Sequence, residues 1–200
     1  MNKNFVLIGG LLTAVFLSNI GGFVRDGQAL DGLRNGVLRL HILADSDSER
    51  DQNLKLKVRD ALLESGILNG ADSLESAEKM AVKKLDEIER TAEKTLRENG
   101  CNADVSAEIT EMYFDEKVYG DITMPAGDYT ALRVKIGSAE GHNWWCVMYP
   151  PLCVPCAVGV DDDEAVEEVF FSEKENDIIN NPQKYKVRFA VWDKLKSIFG

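Results

Sequence analysis

The sequence predicts an α+β fold in which two amphipathic helices cover one face of a small, mostly antiparallel sheet, in the order β-α-α-β-β-β. Apolar and polar residues alternate from 37 to 42, which indicates a strand. Apolar residues then recur every three or four positions over 54–62 and 74–98, which indicates two helices. Strand-like alternation returns over 105–109, over 131–136 and in the tryptophan-rich segment that follows.

Length and charge narrow the class of protein. The chain has 200 residues, of which 44% are hydrophobic, so we expect one sizeable core and one folded domain. The formal net charge is −11 and the pI is near 4.7, which argues against nucleic acids and anionic lipid surfaces as partners.

The amino terminus resembles an export signal. Lys3 precedes an apolar stretch from Phe5 to Leu17, the charge-then-apolar order of a secretory signal peptide. Uncharged sequence continues to Val24, so an uncleaved membrane anchor, with membrane contact through residues 5–24, stays open beside cleavage. A buried core helix is the third interpretation.

The rest of the chain divides into three parts. Residues 25–36 are rich in glycine and polar side chains and are expected to form a linker, so the folded domain is assigned to 37–156. Residues 157–200 begin with an acidic stretch that is not expected to join the core. Their last part, from Tyr185 to Phe199, is amphipathic and either packs on the domain or docks elsewhere.

The acidic segment from Asp45 to Asp51 has two interpretations. Its alternating carboxylates resemble a calcium loop, but Arg50 and Leu56 stand where such a loop needs glycine and glutamate. Ser46 with Glu49 instead matches a capping box at the start of the first helix. We therefore expect a helix cap here.

Glycine residues mark the ends of both predicted helices and one tight turn. Gly66 follows the first helix, and Gly100 follows the second, which is predicted to run unbroken from Leu74 to Glu98. Pro125 followed by Gly127 favours a tight turn before the strand at 131–136.

Residues 137–156 form the most unusual segment of the chain. Successive side chains of a strand point to opposite faces, so Trp144 and Trp145 cannot share one core, and one of them requires a second layer or a partner. Pro150 and Pro151 must end the strand at Tyr149. With Asn143, these residues are the candidate partner-binding residues, since exposed tryptophan is a frequent docking anchor.

Cysteines flank the same prolines. A disulfide between Cys146 and Cys153 is predicted, and it would contribute about 2.5 kcal/mol in the chain-entropy model. A bond between Cys101 and Cys156 is the weaker second pairing.

Two rival chemistries use the same cysteines. His142, Cys146, Cys153 and Cys156 are a candidate zinc set, although their spacing matches no common zinc motif. Cys153 to Cys156 has the CxxC form of a thiol oxidoreductase, although acidic sequence follows it.

His41 lies opposite the core side of its strand with no nucleophile motif beside it. We therefore expect no enzyme, no cofactor and no metal, with the zinc and redox interpretations kept as alternatives.

Three segments carry a resemblance to the stage II sporulation protein R family and together span residues 37–153. The matching residues are Gly141, Asn143, Trp144, Trp145, Cys146, Val147, Pro150, Pro151, Leu152 and Cys153; Arg39, Leu40, Ala44, Ser46, Asp47, Ser48, Asp51, Gln52, Lys55, Val58, Arg59 and Asp60; and Tyr119, Gly120, Pro125, Ala126, Gly127, Tyr129, Ala131, Leu132 and Arg133. Asp45 replaces the asparagine usual in the family, Asp115 replaces a proline, and Cys101 and Cys156 are additional.

The resemblance implies a function that composition and periodicity do not. Members of this family are exported signals that pass from the forespore to the space between the two septal membranes. There they activate a membrane-embedded aspartic protease, which processes the precursor of the mother-cell sigma factor. The resemblance thus implies a non-enzymatic, extracytoplasmic protein whose partner is that protease.

Overall fold

The computed structural model describes residues 3–119, 122–152 and 170–199. Within these ranges it has six helices and six strands. The helices are α1 Lys3–Asn35, α2 Glu49–Glu64, α3 Leu74–Lys83, α4 Leu85–Glu98, α5 Glu173–Asn180 and α6 Pro182–Phe199. The strands are β1 Leu38–Leu43, β2 Val105–Phe114, β3 Lys117–Tyr119, β4 Ile122–Met124, β5 Gly127–Ile136 and β6 Asn143–Tyr149.

The main sheet has four strands in the order β2-β5-β1-β6, and β3 and β4 form a separate antiparallel pair. β5 is antiparallel to β2 and parallel to β1, whereas β6 is antiparallel to β1. The predicted α+β class is confirmed, and the sheet is mixed. The chain crosses over through α2, α3 and α4 to the edge strand β2, and β5 then returns antiparallel to β2, which makes it parallel to β1.

Helices α2 and α4 cover one face of the sheet, as predicted. Leu40 and Ile42 of β1 pack there against Val58, Leu62 and other buried residues of these helices. The helix predicted over 74–98 is broken at Lys84, where φ is −106° and ψ is 13°. The Lys84 ammonium donates to the carbonyl oxygen of Ile67 at 2.9 Å, which ties the break to the loop after α2.

A second helical layer covers the other face; it contradicts the predicted linker and agrees with the alternative in which Tyr185 to Phe199 packs on the domain. Residues 25–36 are not a linker: 25–35 belong to the carboxyl-terminal half of α1, where Leu30 and Leu33 are fully buried. Helices α5 and α6 also join this core through Ile178 and Tyr185. The acidic stretch before α5 lies outside the described residues. The sheet needs this layer because β1 is buried on both faces.

A buried ion cluster joins the three helices of this layer. Asp26 of α1 is 2% exposed and pairs with Lys174 of α5 at 2.7 Å and with Arg188 of α6. Burial raises the pKa of Asp26, but the two cations outweigh burial and hold that pKa below its usual value. The carboxylate is therefore charged and paired in the folded protein.

The amino-terminal half of α1 extends beyond this layer. Ile8, Leu11, Leu17 and Ile20 are each at least 44% exposed. Among the helices of the described ranges, none combines the length and the apolar character that crossing a membrane requires.

Candidate partner-binding site

The two tryptophans lie on opposite faces of β6, and both are half-buried. Trp145 stacks on His41 with ring centroids 4.3 Å apart and meets Phe114 edge-on at 4.6 Å. Trp144 packs on the face covered by α2 and α4, with the Arg59 guanidinium 4.3 Å from its ring centroid. The second layer that one tryptophan required is thus supplied by the chain itself, and neither ring stands free of the domain.

β6 occupies an edge of the sheet. Within the described residues it pairs only with β1, in a register that places Trp144 opposite Ile42 and Trp145 opposite His41. The strand ends at Tyr149, as the prolines predicted. Asn143 and Pro151 are exposed at its two ends.

A hydrogen-bonded loop fixes the start of β6. Asp47 accepts hydrogen bonds from the His142 backbone at 2.6 Å and from the His142 ring, which lower the pKa of Asp47. From α2, the Lys55 ammonium donates to the His142 carbonyl oxygen at 2.8 Å. Gly141 lies so close to Ser46 that an added Cβ would collide with the backbone oxygen of Ser46. The strand therefore starts from a rigid frame.

The cap of α2 lies two residues beyond the predicted one. Ser48, not Ser46, is the N-cap, and its hydroxyl accepts from the Asp51 amide at 3.1 Å. Ser46 instead donates to the Asp51 carboxylate at 2.5 Å. The shift occurs because the Asp47 side chain is engaged by His142, which keeps the preceding residues out of the helix.

A buried arginine behind Trp145 was missed as a site residue by sequence reasoning. Arg39 is fully buried, with its guanidinium 4.1 Å from the Phe114 ring centroid and 4.8 Å from that of Tyr129. It donates to the Tyr119 hydroxyl at 2.6 Å, and that hydroxyl donates to the Trp145 carbonyl oxygen at 3.3 Å. Arg39 thereby links β3 to the tryptophan strand. The sequence signal that could have identified Arg39 was its place among the residues that match the family.

His41 is also buried beside Trp145. Burial lowers its pKa to about 4, the charge of Arg133 adds to this, and the Asn143 amide opposes it. The imidazole is therefore neutral at neutral pH. Its position against aromatic rings fits a packing role.

The cysteines are described in part. Cys146 is buried and disulfide-bonded, but Cys153 and Cys156 lie outside the described residues, so the pairing with Cys153 stays a prediction. Cys101 is a free thiol in this structure, which corrects the weaker pairing with Cys156. It is half-buried against the helical core, and its amide donates to the Leu96 carbonyl oxygen at the end of α4.

The rival zinc and redox sites also depend on Cys153 and Cys156, which the structure does not describe. Of the candidate zinc ligands, His142 is exposed and bonded to Asp47. Within the described ranges, no three histidine, cysteine or acidic side chains are grouped to hold a metal ion.

Fold and site together define a small α+β domain whose distinctive surface is a rigid, aromatic edge strand. The family model of stage II sporulation protein R matches residues 34–158. The chain belongs to the stage II sporulation protein R family, as the sequence resemblance predicted.

The alignment with one curated relative shows how much of the chain is similar. The chain is 38% identical over 134 residues to stage II sporulation protein R of Bacillus subtilis (strain 168). The aligned part covers 66% of this chain and 58% of that relative, so the chain spans little more than half of its length. No solved structure matches the chain.

Proposed function

We propose that this protein is an exported signal of sporulation that binds and activates a membrane-embedded aspartic protease of the septum. The activated protease then processes the precursor of the mother-cell sigma factor. The observation that carries the proposal is the family match over residues 34–158, which supports a signalling role in sporulation. The protease, its substrate and the septal location are what the family resemblance implies for this chain.

The edge of β6 is the proposed contact surface. Hot spots of protein interfaces are enriched in tryptophan and arginine held in well-packed surroundings. Trp144 meets this description because Arg59 lies on its ring and its strand starts from the frame of Asp47 and Lys55. Such a surface loses little conformational entropy on binding, which favours affinity.

The test is truncation of Trp144 to alanine in the full chain. We expect binding to the protease to weaken by a hot-spot energy of about 2 kcal/mol, and sigma-factor processing to fall accordingly. Processing is measured by immunoblot in cells that produce the chain, the protease and the precursor. The matched control is Tyr113→Ala, because Tyr113 is a 59% exposed aromatic residue on β2, at the opposite edge of the sheet.

A second variant separates lost binding from lost folding. Asn143 is exposed at the start of β6, so Asn143→Arg adds bulk at the proposed contact edge, and urea unfolding of the variant shows whether loss of the Asn143 bond to His41 affects the fold. It is expected to reduce processing, whereas Asp128→Arg, at an exposed position at the start of β5, is expected to leave processing intact. Full processing in both Trp144→Ala and Asn143→Arg would contradict docking through β6.

A further inference from the structure

Helix α6 presents an apolar stripe to solvent on the side that faces away from the domain. Its inner side buries Tyr185 and Phe189 in the core. Its outer side carries four aliphatic residues at intervals of three or four, which is one face of a helix. They are Val187 at 78%, Val191 at 47%, Leu195 at 39% and Ile198 at 60% exposure.

The cations of α6 divide into two groups. Three of them pair with acidic residues and hold the helix on the domain: Lys184 with Asp177 at 2.7 Å, Arg188 with Asp26, and Lys196 with Asp31 at 3.1 Å. The other two, Lys186 and Lys194, are exposed beside the stripe and make no ion pair within the described residues. The single acid of the helix, Asp193, pairs with Arg34 at 2.7 Å.

Helix α1 exposes further aliphatic residues near its contact with α6. Phe23 packs on Trp192 of α6 with ring centroids 5.7 Å apart, and Gly27 follows one turn later against the same indole. Ile20 and Val24 lie next to this contact row on the surface of α1 and are 44% and 36% exposed.

We propose that this face of α6 binds an anionic lipid surface. An interfacial helix places its aliphatic residues at the boundary of headgroups and acyl chains, with lysines at its border contacting the anionic headgroups. A continuous aliphatic stripe along one exposed helix fits the boundary of a planar apolar medium. A second copy of the chain is disfavoured because it would bring Lys186 and Lys194 of both copies together.

The acidity of the whole chain does not prevent this contact. The net charge of −11 belongs to the entire sequence, whereas the two cations of α6 that make no ion pair within the described residues, Lys186 and Lys194, lie beside the stripe. At physiological ionic strength, charges more than about 8 Å from the membrane surface are largely screened. The local positive charge of α6 therefore governs the contact. This inference goes beyond the proposed function, because it requires lipid and no protease.

The first experiment is vesicle flotation with the full chain. Vesicles of phosphatidylcholine with about 30% phosphatidylglycerol are compared with pure phosphatidylcholine, and salt is varied in both. Wild type is expected to bind the anionic vesicles, and Val187→Asp/Val191→Asp is expected to weaken that binding about tenfold or more. Val82→Asp is the matched control, because Val82 of α3 is 53% exposed and α3 packs on the opposite face of the sheet from α6. All these chains retain α1, so any difference reports on α6.

The second experiment is lysine acylation read by mass spectrometry, which applies even where α1 alone holds the chain on vesicles. Anionic vesicles are expected to reduce acylation of Lys186 and Lys194 at least threefold. The extent of acylation of the exposed Lys83 of α3 and Lys94 of α4 is expected to be the same with and without vesicles.

Loss of vesicle binding in the aspartate double variant, together with protection of Lys186 and Lys194, supports the proposal. Unchanged acylation of both lysines on bound chain would overturn it. Equal protection on phosphatidylcholine alone would overturn the anionic requirement. Protection that appears only when a protein partner is added would identify the stripe as a protein interface and overturn the lipid assignment.

Discussion

Two polar side chains of β1, Arg39 and His41, lie in the interior of the domain on the face that packs against α1, α5 and α6. Arg39 is fully buried and His41 is 2% exposed. Both are surrounded by aromatic rings, with Phe114 in contact with each of them. Burial removes water from around the imidazole and so disfavours its charged form. The protonation of His41 is therefore coupled to folding.

His41 is predicted to make the protein less stable as pH falls below neutral. Its pKa is about 4 in the folded state and about 6.5 when unfolded, so the unfolded chain binds more protons between these values. The stabilisation is fully present above pH 6.5 and is lost as pH falls towards 4. We expect the free energy of unfolding to drop by about 2 kcal/mol between pH 7 and 5. Urea unfolding across this range measures it.

His41→Gln should flatten the pH dependence between 5 and 7, whatever its effect on absolute stability. An equal slope in wild type and His41→Gln would refute the coupling.

At the scale of elements, the Asp26 cluster decides whether the second helical layer holds together. The Asp26 side chain is 3% exposed, whereas Lys174 and Arg188 are 41% and 51% exposed. Removing the carboxylate leaves two cations that turn to solvent, so the cost is lower than for an uncompensated buried charge.

Asp26→Ala is therefore expected to lower the free energy of unfolding by about 2 kcal/mol and to loosen α5 and α6 from α1. Hydrogen exchange is the suitable measurement, since amides of α5 and α6 should lose protection while those of β1 and β5 change less. Glu75→Ala removes the exposed pair with Lys79 and should leave the protection of α5 and α6 unchanged. Uniform loss of protection over the sheet and helices would show that the layer is not a separate cooperative element.

At the scale of the whole molecule, the apolar leader and the folded domain share one continuous helix. In the first part of α1, the described side chains of Ile8, Leu11, Leu17 and Ile20 are exposed. Further along the helix, Phe23 contacts Trp192, and both Leu30 and Leu33 are fully buried. Deletion of residues 1–24 would therefore remove Phe23, which packs on α6. The boundary between leader and domain thus lies inside α1.

Deletion of residues 2–20 is expected to leave a soluble, folded chain with an unfolding midpoint close to that of the full chain. Deletion of residues 2–35 is expected to expose the core under α5 and α6, because it removes the buried Leu30 and Leu33. Circular dichroism and urea unfolding distinguish the two. A cooperative, equally stable transition in the longer deletion would show that α1 is dispensable for the domain.

Export remains a prediction at this scale, made from Lys3 and the apolar stretch after it. Both deletions are expected to abolish export and therefore signalling, and cell fractionation with a sigma-processing assay would show it.

The sequence by itself determined the α+β class, the end of β6 at the prolines, the helices after β1 and the family. These rest on local rules: side-chain periodicity, fixed proline geometry, and a signature in which Trp144, Trp145 and Pro150 keep their spacing. Local rules involve only residues close together in the sequence, so they can be applied without knowledge of the tertiary structure.

Only the tertiary structure decided which faces are covered. Leu30 and Leu33 could be recognised as apolar, but that they share a core with Tyr185 follows from contacts across some 150 residues. The parallel pairing of β1 with β5, the burial of Arg39 and His41, and the second layer behind Trp145 have the same origin. Each depends on which surfaces come into contact in the folded chain. The free energy gained by burying apolar surface does not depend on how far apart the residues are in the sequence.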